Sequence, residues 1–367
     1  MGSFIHSHGV HFFALAGPDL LLGLDADPAL RNIVGLVQKA PDLAKKALRL
    51  RTIGQRVTEE IGGRGTHPVS FVAGGVAAPL AKEKRETLTR LVDEGVALGA
   101  ELFKTAKETL FGNRELLEAL PLETHYLATV NDGALDFYKG DLRLTSPDGA
   151  NMDFSEEDWA SYLHEETNPN SYAKFVFCKD SGGNGVDYRV GPLARLNCAD
   201  RIDTPLANAE LQEMREAGHP CHQTVMYHFA RLVEVLHAAE KLAELVKDEE
   251  LYSDDVRARP GTPRSATAHV EAPRGVLIHD YKVDGEGIVT GCNLIVATQQ
   301  NVPAINASVG MAAAKYLDQP DELLLNAIEF SIRCYDPCLS CATHRIGEMK
   351  LDVEVRHNGA TVRRARR

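Results

Sequence analysis

The sequence lacks any uninterrupted apolar stretch close to the roughly 20 residues that a membrane-spanning helix needs, so we expect no transmembrane helix. Positive charge is also scarce, because 40 Lys and Arg residues stand against 52 Asp and Glu residues, and the net charge is -12. Binding to a nucleic-acid backbone requires clustered basic side chains. The one basic run is the short tail "RRARR", so we expect no nucleic-acid partner.

The cysteines do not form the pattern of a disulfide framework, because the seven of them stand at irregular spacing in a long chain. The first residues, "MGSFIHSHGVHFF", lack the basic start and apolar stretch typical of a secretory signal. Both absences favour a reducing compartment, and we expect a cytoplasmic protein. A hydrophobic share of 44% over 367 residues predicts a globular chain with a large core.

Helical periodicity dominates the chain. Apolar residues recur at helical spacing in three segments, and they predict helices from Pro41 to the Gly62–Gly63 pair, over 84–111 and over 222–248. Asp27 followed by Pro28 is typical of a helix start, so a further helix is predicted there.

Strand patterns are fewer. "GVLIHDY" (275–281) and "GIVTGCNLIVA" (287–297) predict one hairpin, and "LDVEVRHNGATVRR" (351–364) predicts a second around Asn358 and Gly359. The polar stretch 139–175 is predicted to be irregular. Together these patterns predict a mainly α protein with small β-hairpins, in the α+β class.

The most informative stretch is "DPCLSCATH" at 336–344, in which Cys338 and Cys341 form a C-x-x-C pair followed by His344. Thiolates are soft ligands for zinc, nickel, iron and iron–sulfur clusters. The residues leave three interpretations open: a structural zinc site completed by His344 and a remote ligand, a redox dithiol, or a catalytic transition-metal site.

The same stretch resembles the C-terminal nickel-binding motif of nickel–iron hydrogenase large subunits, D-P-C-x-x-C-x-x-H. Four further segments resemble this family in the family's order: "IHSHGVHFFALAGPDLL", "GGRGTHPVSFVAGGV", "VGPLARLN" and "EAPRGVLIH". The resemblance extends from residue 5 to about residue 350. It is strongest to the soluble, cytoplasmic, multi-subunit enzymes that exchange electrons with NAD(P) or a related acceptor.

The resemblance implies reversible oxidation of H2 to protons and electrons at a nickel–iron centre. Cys338 matches the terminal nickel thiolate, which also accepts a proton, and Cys341 matches the thiolate that bridges nickel and iron. Arg274, in "EAPRG", matches an arginine held over the metals, although a surface ion pair is the alternative interpretation. Asp336 and Asp19 match two carboxylates near that arginine, and either could instead cap a helix.

The resemblance also implies how the iron and a second metal are held. Thr298 matches the residue whose hydroxyl binds a cyanide ligand of the iron, which also carries carbon monoxide; the family usually has proline where this chain has Ala297. His344 matches a ligand of a buried magnesium or iron ion. The remaining histidines of the matched segments are interpreted as packing or supporting residues rather than metal ligands: His6, His8, His11 and His67.

The chain departs from the family at its start, because the R-x-C-G-x-C motif that supplies the other two thiolates is absent. The other five cysteines are scattered: Cys178, Cys198, Cys221, Cys292 and Cys334. We therefore interpret Met1 as an internal methionine of a longer protein. Two thiolates cannot complete a four-thiolate site, so we expect the chain to be inactive without that segment.

The chain also continues beyond His344, where the resemblance implies that a maturation protease cuts after His344 or Arg345. We therefore expect a hydrogenase-like region over 1–344 and a removable extension over 345–367. Electrons must leave through iron–sulfur clusters, which need cysteine sets that this chain lacks, so an iron–sulfur small subunit is implied. The resemblance further implies NAD(P)-reducing or similar diaphorase subunits. Two alternatives remain: a non-catalytic paralogue like the quinone-site subunit of respiratory complex I, and a structural zinc-binding protein.

Overall fold

The computed structural model describes residues 1–27, 30–337 and 351–366. Among these residues, none of the helices has both the length and the apolar character needed to cross a bilayer. A π-helical turn, His11–Ala16, joins the first two helices. The α-helices of the described part are α1 (Gly2–Val10), α2 (Gly17–Leu22), α3 (Ile33–Lys39), α4 (Pro41–Gly62), α5 (Lys84–Phe111), α6 (Arg114–Leu117), α7 (Trp159–Tyr162), α8 (Pro192–Cys198), α9 (Pro205–Glu216), α10 (Met226–Leu245), α11 (Ala297–Lys315) and α12 (Asp321–Cys334).

The strands form small, mostly antiparallel sheets. They are β1 (Phe71–Val72), β2 (Gly75–Val76), β3 (His125–Asn131), β4 (Ala134–Leu135), β5 (Asp141–Thr145), β6 (Asn151–Phe154), β7 (Leu163–Glu166), β8 (Phe175–Lys179), β9 (Gly185–Val186), β10 (Tyr188–Arg189), β11 (Ala266–Ala272), β12 (Gly275–Val283), β13 (Val289–Ile295), β14 (Asp352–His357) and β15 (Ala360–Arg366). The largest sheet has the order β10-β3-β5-β6, with β4 also paired to β3. Two sheets of three strands have the orders β11-β12-β13 and β7-β8-β9, and the α+β class is confirmed.

The three periodic helices are confirmed as α4, α5 and α10. Helix α4 ends where expected, since Gly63 follows it with a left-handed φ of 77°. The predicted helix start at Asp27 is wrong. The carbonyl of Asp27 closes a turn by accepting from the Leu30 N–H, and α3 begins at Ile33, where the Asn32 side chain caps it. Pro28 lies outside the described residues.

Both predicted hairpins are confirmed, as β12–β13 and β14–β15. The prediction of an irregular stretch over 139–175 is wrong, because β5, β6, β7 and the first residue of β8 lie there. These strands are short and carry polar side chains on their exposed faces, although Leu142 and Leu144 alternate inward on β5. The strand β11, which adds to the first hairpin, was also missed.

Two apolar cores meet in this fold. The larger one lies among the helices, where α10 is buried on nearly every side and α1 packs on α4 and α10. The smaller one joins the sheets and includes Leu127, Leu144, Val190, Val276 and Ile295. The strand that follows Arg274 therefore packs in the sheet core, while α12, which precedes the cysteine motif, packs in the helical core.

The C-terminal hairpin packs on the helical core through β15. Ala365 is fully buried there, and Arg363 donates to the carbonyl of Leu317 and pairs with Asp321 at the start of α12. The hairpin is thus anchored at the end of α12 opposite to the one that leads into the cysteine motif.

Buried histidines are a feature of the helical core. Burial lowers the pKa of both His8 and His237 to about 4, and it lowers the pKa of His11 and His228 well below the ordinary value. These rings are neutral in the folded protein, whereas in the unfolded chain they bind protons below about pH 6.5.

We predict that the unfolding free energy falls as the pH decreases from 7.5 to 5, because the unfolded chain then binds more protons than the folded one. A histidine whose pKa falls from 6.5 to about 4 on folding costs about 2 kcal/mol at pH 5. The raised pKa of Asp336, about 6, acts in the opposite sense by only about 1 kcal/mol at that pH. Urea unfolding at the two pH values measures the loss.

The variant His237→Gln should reduce that loss by about 2 kcal/mol, since glutamine keeps a polar group near Thr204 but does not titrate. The exposed His164 offers a control, since His164→Gln makes the same substitution outside the core. Equal pH dependence in the parent and the His237 variant would contradict the explanation.

Candidate functional site

Arg274 occupies the tight turn between β11 and β12, where Ala272 and Gly275 form the last pair of the ladder. Gly275 has a φ of 136°, and a Cβ atom there would lie 2.5 Å from a methyl carbon of Val190. Gly191, on the facing segment, has a φ of 100°, and its Cβ would lie 2.7 Å from the carbonyl oxygen of Arg274. Because only glycine fits both positions, the "VGPLARLN" and "EAPRG" segments interlock through their backbones.

Arg195, on α8, is fully buried and holds the same turn from beneath. Its Nε lies 2.5 Å from Glu234 Oε1, and its Nη1 lies 2.6 Å from Glu271 Oε2. The guanidinium also donates to the carbonyl oxygens of Ala272 and Pro273, at 3.0 and 2.9 Å. Charge-assisted bonds from one planar group therefore fix the backbone directly before the site arginine.

The charges of this network are unequally compensated. Burial by itself would raise the pKa of Glu234, but Arg195 and His8 lower it to about 2. The pKa of Glu271 is raised, because burial outweighs the effect of Arg195 there. The Arg195–Glu234 pair thus stays ionised, and His8 Nε2 donates to Glu234 at 2.7 Å as a neutral ring.

Arg274 and Asp336 are in contact, as the resemblance implied. Arg274 Nε donates to the Asp336 carbonyl at 2.6 Å, and Nη2 lies 3.1 Å from Asp336 Oδ1. The Arg274 side chain is 27% exposed and Asp336 only 1%. Asp336 has a left-handed φ of 52°, and its Oδ2 is buried without a partner among the described residues. Burial raises the pKa of Asp336 to about 6, against the effect of Arg274 and Arg231.

Asp19 forms its ion pairs with two other arginines, and its expected position near Arg274 stays a prediction. Its Oδ1 lies 2.6 Å from Arg31 Nη2, and its Oδ2 lies 2.6 Å from Arg333 Nη1. Both arginines are long side chains that reach it from α12 and from the segment before α3. Asp19 is therefore linked to the site through Arg333, which lies three positions before Asp336.

Thr298 is half-buried in the first turn of α11. The residues that follow it hold the site backbone, since Gln300 donates to the Val276 carbonyl at 2.7 Å. Asn301 Oδ1 accepts from the Val190 N–H at 2.9 Å. Helix α11 thus begins beside the interlocked glycine turns.

Two of the four histidines in the matched segments make buried hydrogen bonds. His8 bonds to Glu234, and His11 Nε2 lies 2.8 Å from the Arg333 carbonyl oxygen. His6 is half-buried, while His67 is exposed with a left-handed φ of 52°. Within the described ranges no group of three or more His, Cys, Asp or Glu side chains could hold a metal ion.

The predicted metal ligands lie outside the described residues, namely Cys338, Cys341 and His344; Arg345, one of the two predicted cleavage points, also lies there. The last residues described before them are Asp336 and Pro337. The described structure therefore gives the rim of the candidate site, on the side of the arginine and the aspartate.

Sequence reasoning missed the buried ionic residues around the site. Arg195 and Glu271 stand inside segments that had been singled out as family signatures, without a role of their own. Arg231 and Glu234 stand three apart in "FARLVEVLH", an otherwise apolar part of α10. Charged residues within an apolar helix are almost always paired or functional, and that signal could have identified them.

A family model described as nickel-dependent hydrogenase matches residues 135–344. The F420-non-reducing hydrogenase vhu subunit of Methanocaldococcus jannaschii is 42% identical over 320 residues, which cover 85% of this chain and 76% of that protein. The NAD-reducing hydrogenase HoxS subunit beta of Cupriavidus necator is 35% identical over 370 residues, covering 96% of this chain and 75% of that protein.

The structure of an NAD+-reducing [NiFe]-hydrogenase in the H2-reduced state is similar over 94% of this chain and 78% of that chain, with a TM-score of 0.86 and 37% identity. The resemblance inferred from the motifs is thereby confirmed, including its direction toward NAD-linked and related multi-subunit enzymes. This chain belongs to the nickel-dependent hydrogenase family, whose members are oxidoreductases that act on H2.

Proposed function

We propose that this chain provides two thiolates and the surrounding protein of a nickel–iron centre that interconverts H2 with protons and electrons. The observation that carries the proposal is the contact of Arg274 with Asp336, two residues before Cys338. A partly exposed guanidinium and a buried carboxyl, whose Oδ2 has no partner among the described residues, thereby lie at the start of the cysteine motif.

The donor set suits such a centre. Cys338 would be a terminal thiolate of nickel and Cys341 a thiolate shared with iron, because soft metals prefer sulfur. When bound, the centre supplies the metals at which H2 is cleaved, with carbon monoxide and cyanide on the iron. Thr298, in the first turn of α11, would donate its hydroxyl to a cyanide, and His344 would hold a magnesium or iron ion.

Arg274 supplies a positive charge that does not depend on pH, since a guanidinium keeps its proton at working pH. Asp336 can take up a proton as the pH falls to about 6, because burial raises the pKa of this carboxyl to about 6. Asp19 acts indirectly in this proposal. It binds Arg333 and so supports the helix end from which Asp336 follows.

The path by which electrons leave the centre and the residues that follow His344 each imply further partner proteins. Electron transfer requires iron–sulfur clusters with cysteine sets of their own, so we propose an iron–sulfur small subunit. A diaphorase that reduces NAD(P) or a similar acceptor is proposed from the likeness to an NAD-reducing relative. A maturation protease would cut after His344 or Arg345 and release the extension 345–367 from the region 1–344. The proposed location is the cytoplasm.

Metal content tests the proposal. We predict that the isolated chain binds nickel below one equivalent and does not reduce methyl viologen under H2, because it holds one C-x-x-C pair. Joining a segment with R-x-C-G-x-C in front of Met1, and producing the chain with its maturation proteins and small subunit, should give nickel together with iron. Mass spectrometry of the metals measures this.

The Cys341→Ser variant is the control for the joined chain, and it should lose both metals because a serine oxygen is a poor ligand for soft metals. Zinc in the joined parent would favour the structural zinc site, and the absence of any metal would favour the non-catalytic paralogue. Nickel and iron retained in the Cys341 variant would contradict the ligand assignment.

Arg274→Lys tests the site arginine in the joined, partnered enzyme. We predict that both metals are retained, while H2 oxidation per nickel falls by about two to three orders of magnitude, since lysine lacks the planar fork that binds Asp336. Arg201, which pairs with Asp203 on the surface, provides the control Arg201→Lys, with unchanged activity. A rate within about threefold of the parent would assign Arg274 to a structural ion pair instead.

A further inference from the structure

The end of α12 is held by three side chains that come from three distant segments. His11 Nε2 lies 2.8 Å from the carbonyl oxygen of Arg333, and Arg231 Nη2 lies 2.7 Å from that of Cys334. Arg274 Nε lies 2.6 Å from the carbonyl oxygen of Asp336. The last carbonyls of a helix have no partners within the helix, and here His11 and Arg231 satisfy two of them from outside.

Arg231 is fully buried on α10, yet no carboxylate of the described residues lies within ion-pair distance of it. Its other contacts are the Tyr227 carbonyl at 3.3 Å and His228 Nδ1 at 3.2 Å. A buried cation is costly unless a negative charge compensates it. The partial negative charge at the C-terminus of α12 contributes to that compensation, together with the carboxyls of Asp336 and Glu234, which act on this arginine from beyond ion-pair distance.

His11 is the second donor, and its role also follows from its bond. A carbonyl can only accept, so the neutral ring carries its proton on Nε2. Its Nδ1 is buried without a partner among the described residues. The ring lies parallel to that of His228, with centroids 5.7 Å apart, and His228 in turn contacts Arg231. His11 and Arg231 therefore both contact the ring of His228, which lies between them.

We infer that His11 and Arg231 are positioning residues that fix the end of α12, and with it the direction in which the cysteine motif leaves the helix, before any metal is bound. The role of the cysteine motif in this inference rests on the proposed function, whereas the hydrogen bonds to the helix end do not depend on it. Arg274 completes the same arrangement, which we call the carbonyl clamp: His11, Arg231 and Arg274 on the carbonyls of residues 333, 334 and 336.

Hydrogen exchange of the metal-free, 367-residue chain tests the clamp. The N–H groups of Tyr335 and Asp336 donate to the carbonyls of Ile332 and Arg333, so peptides that include them report on the helix end. We expect exchange there to be about tenfold faster in Arg231→Gln and in His11→Phe, which keeps a ring against His228 but cannot donate. Arg231→Lys, which still donates a charged N–H, should exchange more slowly than Arg231→Gln.

Arg215 provides a matched control, because it also donates to carbonyls just after a helix, those of Ala199 and Asp200 after α8. Arg215→Gln should speed exchange around 199–201 and leave 335–336 unchanged. Exchange at 335–336 within about twofold of the parent in both Arg231→Gln and His11→Phe would overturn the inference.

A second measurement separates this inference from the proposed function. In the joined and partnered protein, Arg231→Gln should lower nickel occupancy several-fold, and Arg231→Lys should restore most of it. If the parent itself binds no nickel, the proposed function fails, while faster exchange in the metal-free variants would still support the clamp. Parental nickel occupancy in Arg231→Gln, together with unchanged exchange, would overturn the clamp and leave the proposed function intact.

Discussion

The rest of the site depends on the ion pairs and hydrogen bonds of one buried group, the guanidinium of Arg195. It binds one carboxylate on α10 and another on β11, and it donates to the two carbonyls before the site arginine. Removing this guanidinium would leave the buried Glu234 carboxylate without its counter-charge, which is strongly unfavourable. The three elements therefore have one favourable arrangement relative to one another, and the position of Arg274 follows from it.

This constraint matters because the site forms where two cores meet. Val190 and Val276 belong to the sheet core, and the two glycine turns between them allow the backbones to touch. Tyr335 belongs to the helical core and immediately precedes Asp336. Apolar packing gives each side its stability but is not directional, so the orientation of one side relative to the other depends on the ionic and carbonyl contacts.

The sequence was sufficient where local pattern determines structure. Helices α4, α5 and α10 have long apolar periodicity, and the Asn358–Gly359 turn determines its hairpin. Strands β5 to β8 are short and partly exposed, so their weak alternation was outweighed by polar composition. The pairing of Arg274 with Asp336 spans 62 positions and was available only through family resemblance. The resemblance also placed Asp19 near Arg274, and the ion pairs that the structure shows for Asp19 are with Arg31 and Arg333.

The charges at the end of α12 have a common physical basis. The C-terminus of a helix carries partial negative charge, which opposes any anion placed directly after it, and Cys338 follows the last helical residue by four positions. Arg231 has no carboxylate partner among the described residues, and Arg274 has one carboxyl whose pKa is raised to about 6. These donors offset the partial negative charge of the helix end directly before the motif. A positive group close to a cysteine favours thiolate over thiol, so the same donors would suit the thiolates of the proposed centre.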